Sequence, residues 1–154
     1  MEQASAERQL RQFVARFGPT HQTLIRAVRK ALRQRWPTAY ELAYDNYNFF
    51  VIGYSPTERP SDAIVSLTAG ANGVGLCFLH GATLRDPKGI LLGSGNQTRF
   101  IRLESAGVLA RPEVEALLEA AIAQSKTSMR MTGRRRLIIR SVSATRRTRR
   151  KPST

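Results

Sequence analysis

Near the N-terminus, apolar positions recur at helical spacing. Leu10, Phe13, Val14 and Phe17 fall at i, i+3, i+4 and i+7, predicting an amphipathic helix with Ser5 as its N-cap. Gly18-Pro19 ends it, because proline cannot continue the hydrogen-bond ladder. A second helix is predicted from about Thr20, with Leu24, Ile25, Val28, Ala31 and Leu32 as its apolar stripe, and Pro37 stops it. Its Arg26, Arg29, Lys30, Arg33 and Arg35 are assigned to the other faces. A solvated basic face is the ordinary reading of such a pattern, and phosphate contact is the alternative.

The period then shortens to two. Tyr40–Tyr44 and Tyr47–Tyr54 are rich in aromatic and β-branched residues, with Asp45-Asn46 at the turn between them. The segment 55–62 carries two prolines and reads as a loop, and Ala63–Thr68 reads as a strand. Gly70-Ala71-Asn72-Gly73 reverses the chain into Val74–Leu79, which is apolar on both faces. The run continues through His80-Gly81, Asp86-Pro87-Lys88-Gly89 and Ile90-Leu91-Leu92 to the turn Gly93-Ser94-Gly95-Asn96, and Thr98–Leu103 closes it as a fifth strand. Pro112 then opens a third helix bearing Val114, Leu117, Leu118, Ala121 and Ile122. The expected class is therefore α+β: a curved antiparallel sheet of about five strands, with two N-terminal helices and one C-terminal helix packed on it.

Charge changes this picture at one end. Residues 126–154 hold eleven of the 25 Lys and Arg and no Asp or Glu, leaving the first 125 residues with a surplus of only three. This divides the chain into a folded body, 1–125, and a basic tail, 126–154, with an edge-strand candidate near 135–142 around Leu137-Ile138-Ile139. The terminal ATRRTRRKPST has too little apolar content to fold and reads as disordered. No apolar run of 18 residues occurs, so no membrane partner is expected. The start, MEQASAERQLRQF, has no apolar signal core. With Cys77 as the single cysteine, a reducing cytoplasmic setting is expected.

Candidate chemistry is sparse. Gly93-Ser94-Gly95-Asn96 can offer backbone N–H groups to an anion, with Arg99 adding charge, but the phosphate-loop and dinucleotide patterns both fail here. A turn with glycines at left-handed positions is the stronger reading. Cys77 reads as a small buried hydrophobe rather than a nucleophile. Glu115 and Glu119 share a helix face at i, i+4, so a metal pair is conceivable there, though a capping and solvated pair is the ordinary reading. With two histidines and one cysteine, no metal site, cofactor or catalytic residue is assigned. Acid–base pairs often assemble from distant residues, so a missing motif does not decide whether the chain is an enzyme.

The segments YDNYN (44–48), SDAIVSL (61–67) and FLHGATLRDPKGILLGSGNQTRFIRL (78–103), with the helix after them, resemble the YdhG-like family of bacterial domains of unknown function. The resemblance covers about half the chain closely and implies the same α+β fold with a curved antiparallel sheet. Some relatives are described as frataxin-like intracellular iron chaperones, which implies iron delivery as one function. The family pattern leads us to expect a lysine where Asn96 stands, and it carries over no catalytic residues.

Three functional expectations follow. The first is a non-enzymatic ligand-binding or accessory domain, with an unknown small ligand held between the sheet and the loops at Asp45–Asn48 and His80–Arg99. Its candidate residues are Asp45, Asn46, Asn48, His80, Asp86, Lys88, Gly93, Ser94, Gly95, Asn96 and Arg99. The second is non-specific nucleic-acid or polyanion binding through Arg134, Arg135, Arg136, Arg146, Arg147, Arg149, Arg150 and Lys151. The third is the iron delivery that the resemblance implies. The oligomeric state is open.

Overall fold

The computed structural model describes residues 2–46 and 49–142, the last two by their backbone only. The candidates Asn48, Arg146, Arg147, Arg149, Arg150 and Lys151 lie outside the described residues, as does the terminal run read as disordered.

Among the described residues, three α-helices and six strands follow in the order α1 (Glu2–Ala15), α2 (Pro19–Arg35), β1 (Tyr40–Asp45), β2 (Phe49–Ser55), β3 (Val65–Gly70), β4 (Gly73–Phe78), β5 (Arg99–Arg102), α3 (Pro112–Ala123) and β6 (Leu137–Val142). The fold is α+β, as the pattern predicts, and its sheet is open and mixed. Strand order is β5-β4-β3-β2-β1-β6. Strands β1 to β5 form an antiparallel meander. The edge-strand candidate becomes β6, which pairs parallel to β1 with a bulge at Ala43/Tyr44. An all-antiparallel sheet of about five strands is thus corrected to six strands with one parallel pair. The cause is the long return connection, which carries the chain through α3 to the far edge before it re-enters the sheet.

One parity of each strand packs with the helices in a single core. Phe50, Ile52, Tyr54, Leu67, Leu76 and Phe78 meet Ile25, Val28 and Leu32 of α2 and Val114, Leu117 and Leu118 of α3. Phe13 of α1 lies 6.0 Å from Phe50 by ring centroids, and Trp36 lies 6.4 Å from Tyr54. The opposite parity is half-covered at Val51, Thr68, Cys77 and Phe100, so β4, apolar on both faces, is covered by the helices on one side. Burial pushes the Cys77 thiol up, away from thiolate chemistry. Among the described residues, no helix is long and apolar enough to cross a membrane.

Helix α1 starts before the predicted cap, so Ser5 lies inside the first turns rather than at the N-cap. The extension is anchored from β6: Gln3 Nε2 donates to the Leu137 carbonyl and the Leu137 N–H donates to Gln3 Oε1, both at 2.9 Å. A side chain thus extends the backbone pairing of the edge strand onto a helix. Replacing Gln3 by alanine strands the buried Leu137 N–H. The expected outcome is a stability loss of about 1–3 kcal/mol in urea denaturation, with faster hydrogen exchange at the Leu137 amide than at β3 amides. Unchanged exchange at Leu137 would show that the pair carries no weight.

Candidate functional site

The sequence-predicted ligand residues separate into three places. Asp45 ends β1, is buried and is ion-paired with Arg16 of the α1–α2 connection. Asn46 Oδ1 accepts the Phe49 N–H at 2.8 Å, tying the β1–β2 turn. His80 is exposed beyond β4, at the other end of the sheet. Because β1 and β4 run antiparallel to their neighbours throughout the meander, the 45–46 and 80–99 loops sit about 20 Å apart along the strands. A single pocket shared by the two loop groups is therefore not formed.

The 80–99 connection is held mainly by its own side chains. Asp86 closes it like a clasp: Oδ1 accepts the Ile90 N–H at 3.0 Å and Oδ2 the Leu91 N–H at 2.9 Å. Leu92 bridges to Phe100 across the strand edge. Arg99 does not reach outward to an anion. Its Nη1 donates to the carbonyls of Gly95 (2.6 Å) and Thr98 (2.9 Å), closing the Gly93–Asn96 turn from inside. Gly81 is required beneath it, since a Cβ there would stand 2.6 Å from Arg99 Cβ. Lys88, Ser94 and Asn96 remain exposed on this ribbon.

Of the predicted ligand residues that are described, His80 alone lines the cleft at the end of β4. That cleft, about 560 Å³, opens where β3 begins, β4 ends and α3 finishes. Ile64, Phe78, Leu84 and Ala121 give it an apolar floor, and its rim carries the charged groups of Arg59, Asp62 and Lys126 with the His80 imidazole beside them. Three hydroxyls, from Ser61, Thr83 and Ser125, complete the wall. Gln124 welds the rim: it accepts from Thr83 Oγ1 at 2.9 Å and donates to the His80 carbonyl at 3.1 Å, fixing the end of α3 on the turn after β4. Asp62 accepts from Thr57 Oγ1 at 2.8 Å and faces Arg59 at 3.9 Å. Arg59, Asp62, Thr83, Gln124 and Lys126 escaped sequence reasoning because they are scattered polar residues with no period. The nearest signal was the loop character of 55–62 and the end of the α3 stripe.

The basic face of α2 is the second locus, and it is not simply solvated. Glu41, on the core side of β1, is fully buried. Arg29 and Arg33 reach it from α2: Arg29 Nε and Nη2 donate to its two oxygens at 2.9 Å, and Arg33 Nε donates at 3.1 Å. Tyr54 OH donates to Glu41 Oε2 at 2.8 Å. Glu7 of α1 takes the remaining guanidinium donors of both arginines at 2.8–3.1 Å. Burial pushes the Glu41 carboxyl up, but the hydrogen bonds and charge of Arg29, the charge of Arg33 and the Tyr54 hydroxyl outweigh it, and the net shift is down. Glu7 shifts down for the same balance of reasons. Burial and the adjacent Glu41 carboxylate push the Tyr54 phenol well up, keeping it a donor.

The remaining paired acids are also accounted for. Arg35 holds Glu115 at 2.5 Å and Glu119 at 3.1 Å, so the i, i+4 pair docks α3 on the end of α2 rather than presenting a metal site. Among the described residues, no group of three or more His, Cys, Asp or Glu is placed to hold an ion. In comparisons with family models, curated proteins and solved structures, this chain matched none.

The carboxylate cluster sets a pH dependence. Glu41 and Glu7 have folded values below their ordinary one of about 4.5, so the stability they contribute is complete above that pH and lost as pH falls through the lowered values. Glu41→Gln should cost about 3–5 kcal/mol at neutral pH, because it leaves two partly buried guanidinium groups short of charge beside a buried neutral amide, and should flatten the acid limb of the stability curve. Chemical denaturation of both proteins from neutral to acid pH is the measurement. An unchanged acid limb in the variant contradicts this assignment.

Proposed function

We propose that this protein is a non-enzymatic ligand-binding or accessory module that takes a small organic anion, with an apolar body and a carboxylate or phosphate head, in the cleft between the end of β4 and the end of α3. The observation that carries this reading is the pairing of an apolar floor at Phe78 and Leu84 with a rim where the two cations Arg59 and Lys126 outnumber the one carboxylate, Asp62, and the His80 imidazole adds a polar edge. A concave site of this size, with few polar groups converging on one side of an apolar surface, suits a small amphipathic molecule. The Gln124 weld favours it further, since a preformed rim lowers the ordering cost of binding. Iron delivery, the function implied by the resemblance to YdhG-like domains, has less support. Glu7, Glu41, Asp45, Glu115 and Glu119 are spent on arginines and Asp86 on backbone amides.

The test is a thermal-shift screen of alkyl and aryl carboxylates and phosphate monoesters against the parent chain and two variants. A true ligand at a hundred times its Kd should stabilise the parent by about 2.7 kcal/mol. Ser61→Trp, at an exposed wall position, should abolish the shift by filling the mouth, and Lys126→Glu should weaken it by charge reversal. A screen without saturable hits, or hits that persist in both variants, removes the cleft as the site.

A further inference from the structure

A second concavity lies on the other charged locus, independent of the cleft. It is about 530 Å³ and is formed by α2 and the segment that leads into β6; it is lined by Arg26, Arg29, Lys30, Arg33, Gln34 and Arg135, with Pro37. We propose that this groove is a phosphate-backbone site for nucleic acid, read without regard to sequence.

The charges in the groove divide into two kinds. Arg29 and Arg33 form its inner wall, and their charge is matched by Glu7 and Glu41, so they serve as structure. Arg26 and Lys30, one helical turn apart and exposed, are not matched: among the described residues, neither they nor Arg135 is paired with a carboxylate. Arg26 touches only the neutral Gln22, donating to its Oε1 at 2.8 Å. The inward pull on Arg29 and Arg33 fixes the rotation of α2, and with it the outward direction of Arg26 and Lys30.

Arg135 is set opposite them by a staple. The Arg130 guanidinium lies 4.7 Å from the centre of the Tyr40 ring and donates to the carbonyls of Thr38 (2.8 Å) and Arg134 (2.9 Å). Thr38 Oγ1 returns a bond to the Arg130 carbonyl at 2.7 Å. Gly133 turns tightly over the same guanidinium at φ +116°, where a Cβ would stand 2.8 Å from Arg130 Nη1. The segment therefore brings Arg135 to the groove, while Arg136 is paired with Glu2 at 3.5 Å and Glu58 at 3.8 Å; separate from the groove, the sequence beyond residue 142 carries Arg146, Arg147, Arg149, Arg150 and Lys151.

The chemistry favours nucleic acid over other anionic surfaces. A membrane-surface helix needs an exposed apolar face, and Ile25, Val28 and Leu32 of α2 are all buried in the core. A protein partner needs an apolar anchor at the centre of its interface, and among the described residues no aromatic or large aliphatic side chain lines this groove. The same lack of aromatics removes base stacking and leaves phosphate contact, which is insensitive to sequence and steeply dependent on salt.

The experiment is fluorescence anisotropy of the full chain with two unrelated labelled DNA duplexes of about 20 base pairs, across a salt series. The parent is compared with Arg26→Gln/Lys30→Gln/Arg135→Gln, which spares Arg29 and Arg33, and with a chain carrying glutamine at the five basic positions beyond residue 142. Removing three phosphate contacts should reduce the log–log salt slope by about 2.7 and weaken binding near 0.1 M salt by roughly two to three orders of magnitude, equally for both sequences. Circular dichroism and thermal melting of the triple variant should match the parent. The proposal is overturned if the triple variant binds like the parent while the tail variant loses binding, or if the parent shows no affinity at low salt. It is also overturned if vesicles rich in anionic lipid bind more tightly than DNA and lose that binding in the triple variant.

Discussion

A carboxylate with no access to water, Glu41, sets the geometry of this protein. Removed from solvent alone, it would be neutral or intolerable. Here two arginines one helical turn apart and a phenol satisfy it, and Glu7 from a third element balances the added charge. Such a cluster contributes little net stability over a well-packed apolar substitute, because desolvation offsets most of the attraction. What it contributes is direction. Apolar packing is non-directional, whereas four directional partners on three elements hold α1, α2 and β1 in one arrangement.

That arrangement has two consequences at the surface. With Arg29 and Arg33 turned inward, the remaining cations of α2 form a stripe rather than an all-round charge. Arg35, at the end of the same helix, grips Glu115 and Glu119 and sets the position of α3. The far end of α3 then carries Gln124 and Lys126 to the turn after β4, where the cleft opens. Helix α2 thus lies upstream of both loci, lining one and positioning the other.

Charge and fold divide the chain differently. By charge, residues from 126 onward are an appendage. By structure, Leu137–Val142 completes the sheet, supplies a buried leucine to the core and receives the side chain of Gln3. The two descriptions are compatible because one strand parity of β6 faces the core while the arginines before it remain in solvent.

Local pattern alone determined the three helices, the five strands of the meander, the turns between them and the edge-strand candidate at the C-terminal side. Each rests on a period or a turn residue that operates over a few positions, so it is visible without neighbours. Tertiary structure alone decided that β6 runs parallel to β1, that α1 begins ahead of Ser5, and that Glu41 lies inside with two arginines of α2 reaching in to it. It also decided that the loops at 45–46 and 80–99 lie at opposite ends of the sheet and that the cleft gathers residues from 59 to 126. The physical reason is range. Hydrophobic periodicity is written into consecutive residues, but a charge reads as solvated until a partner 8 to 26 positions away is brought against it, and only the assembled sheet-and-helix packing does that.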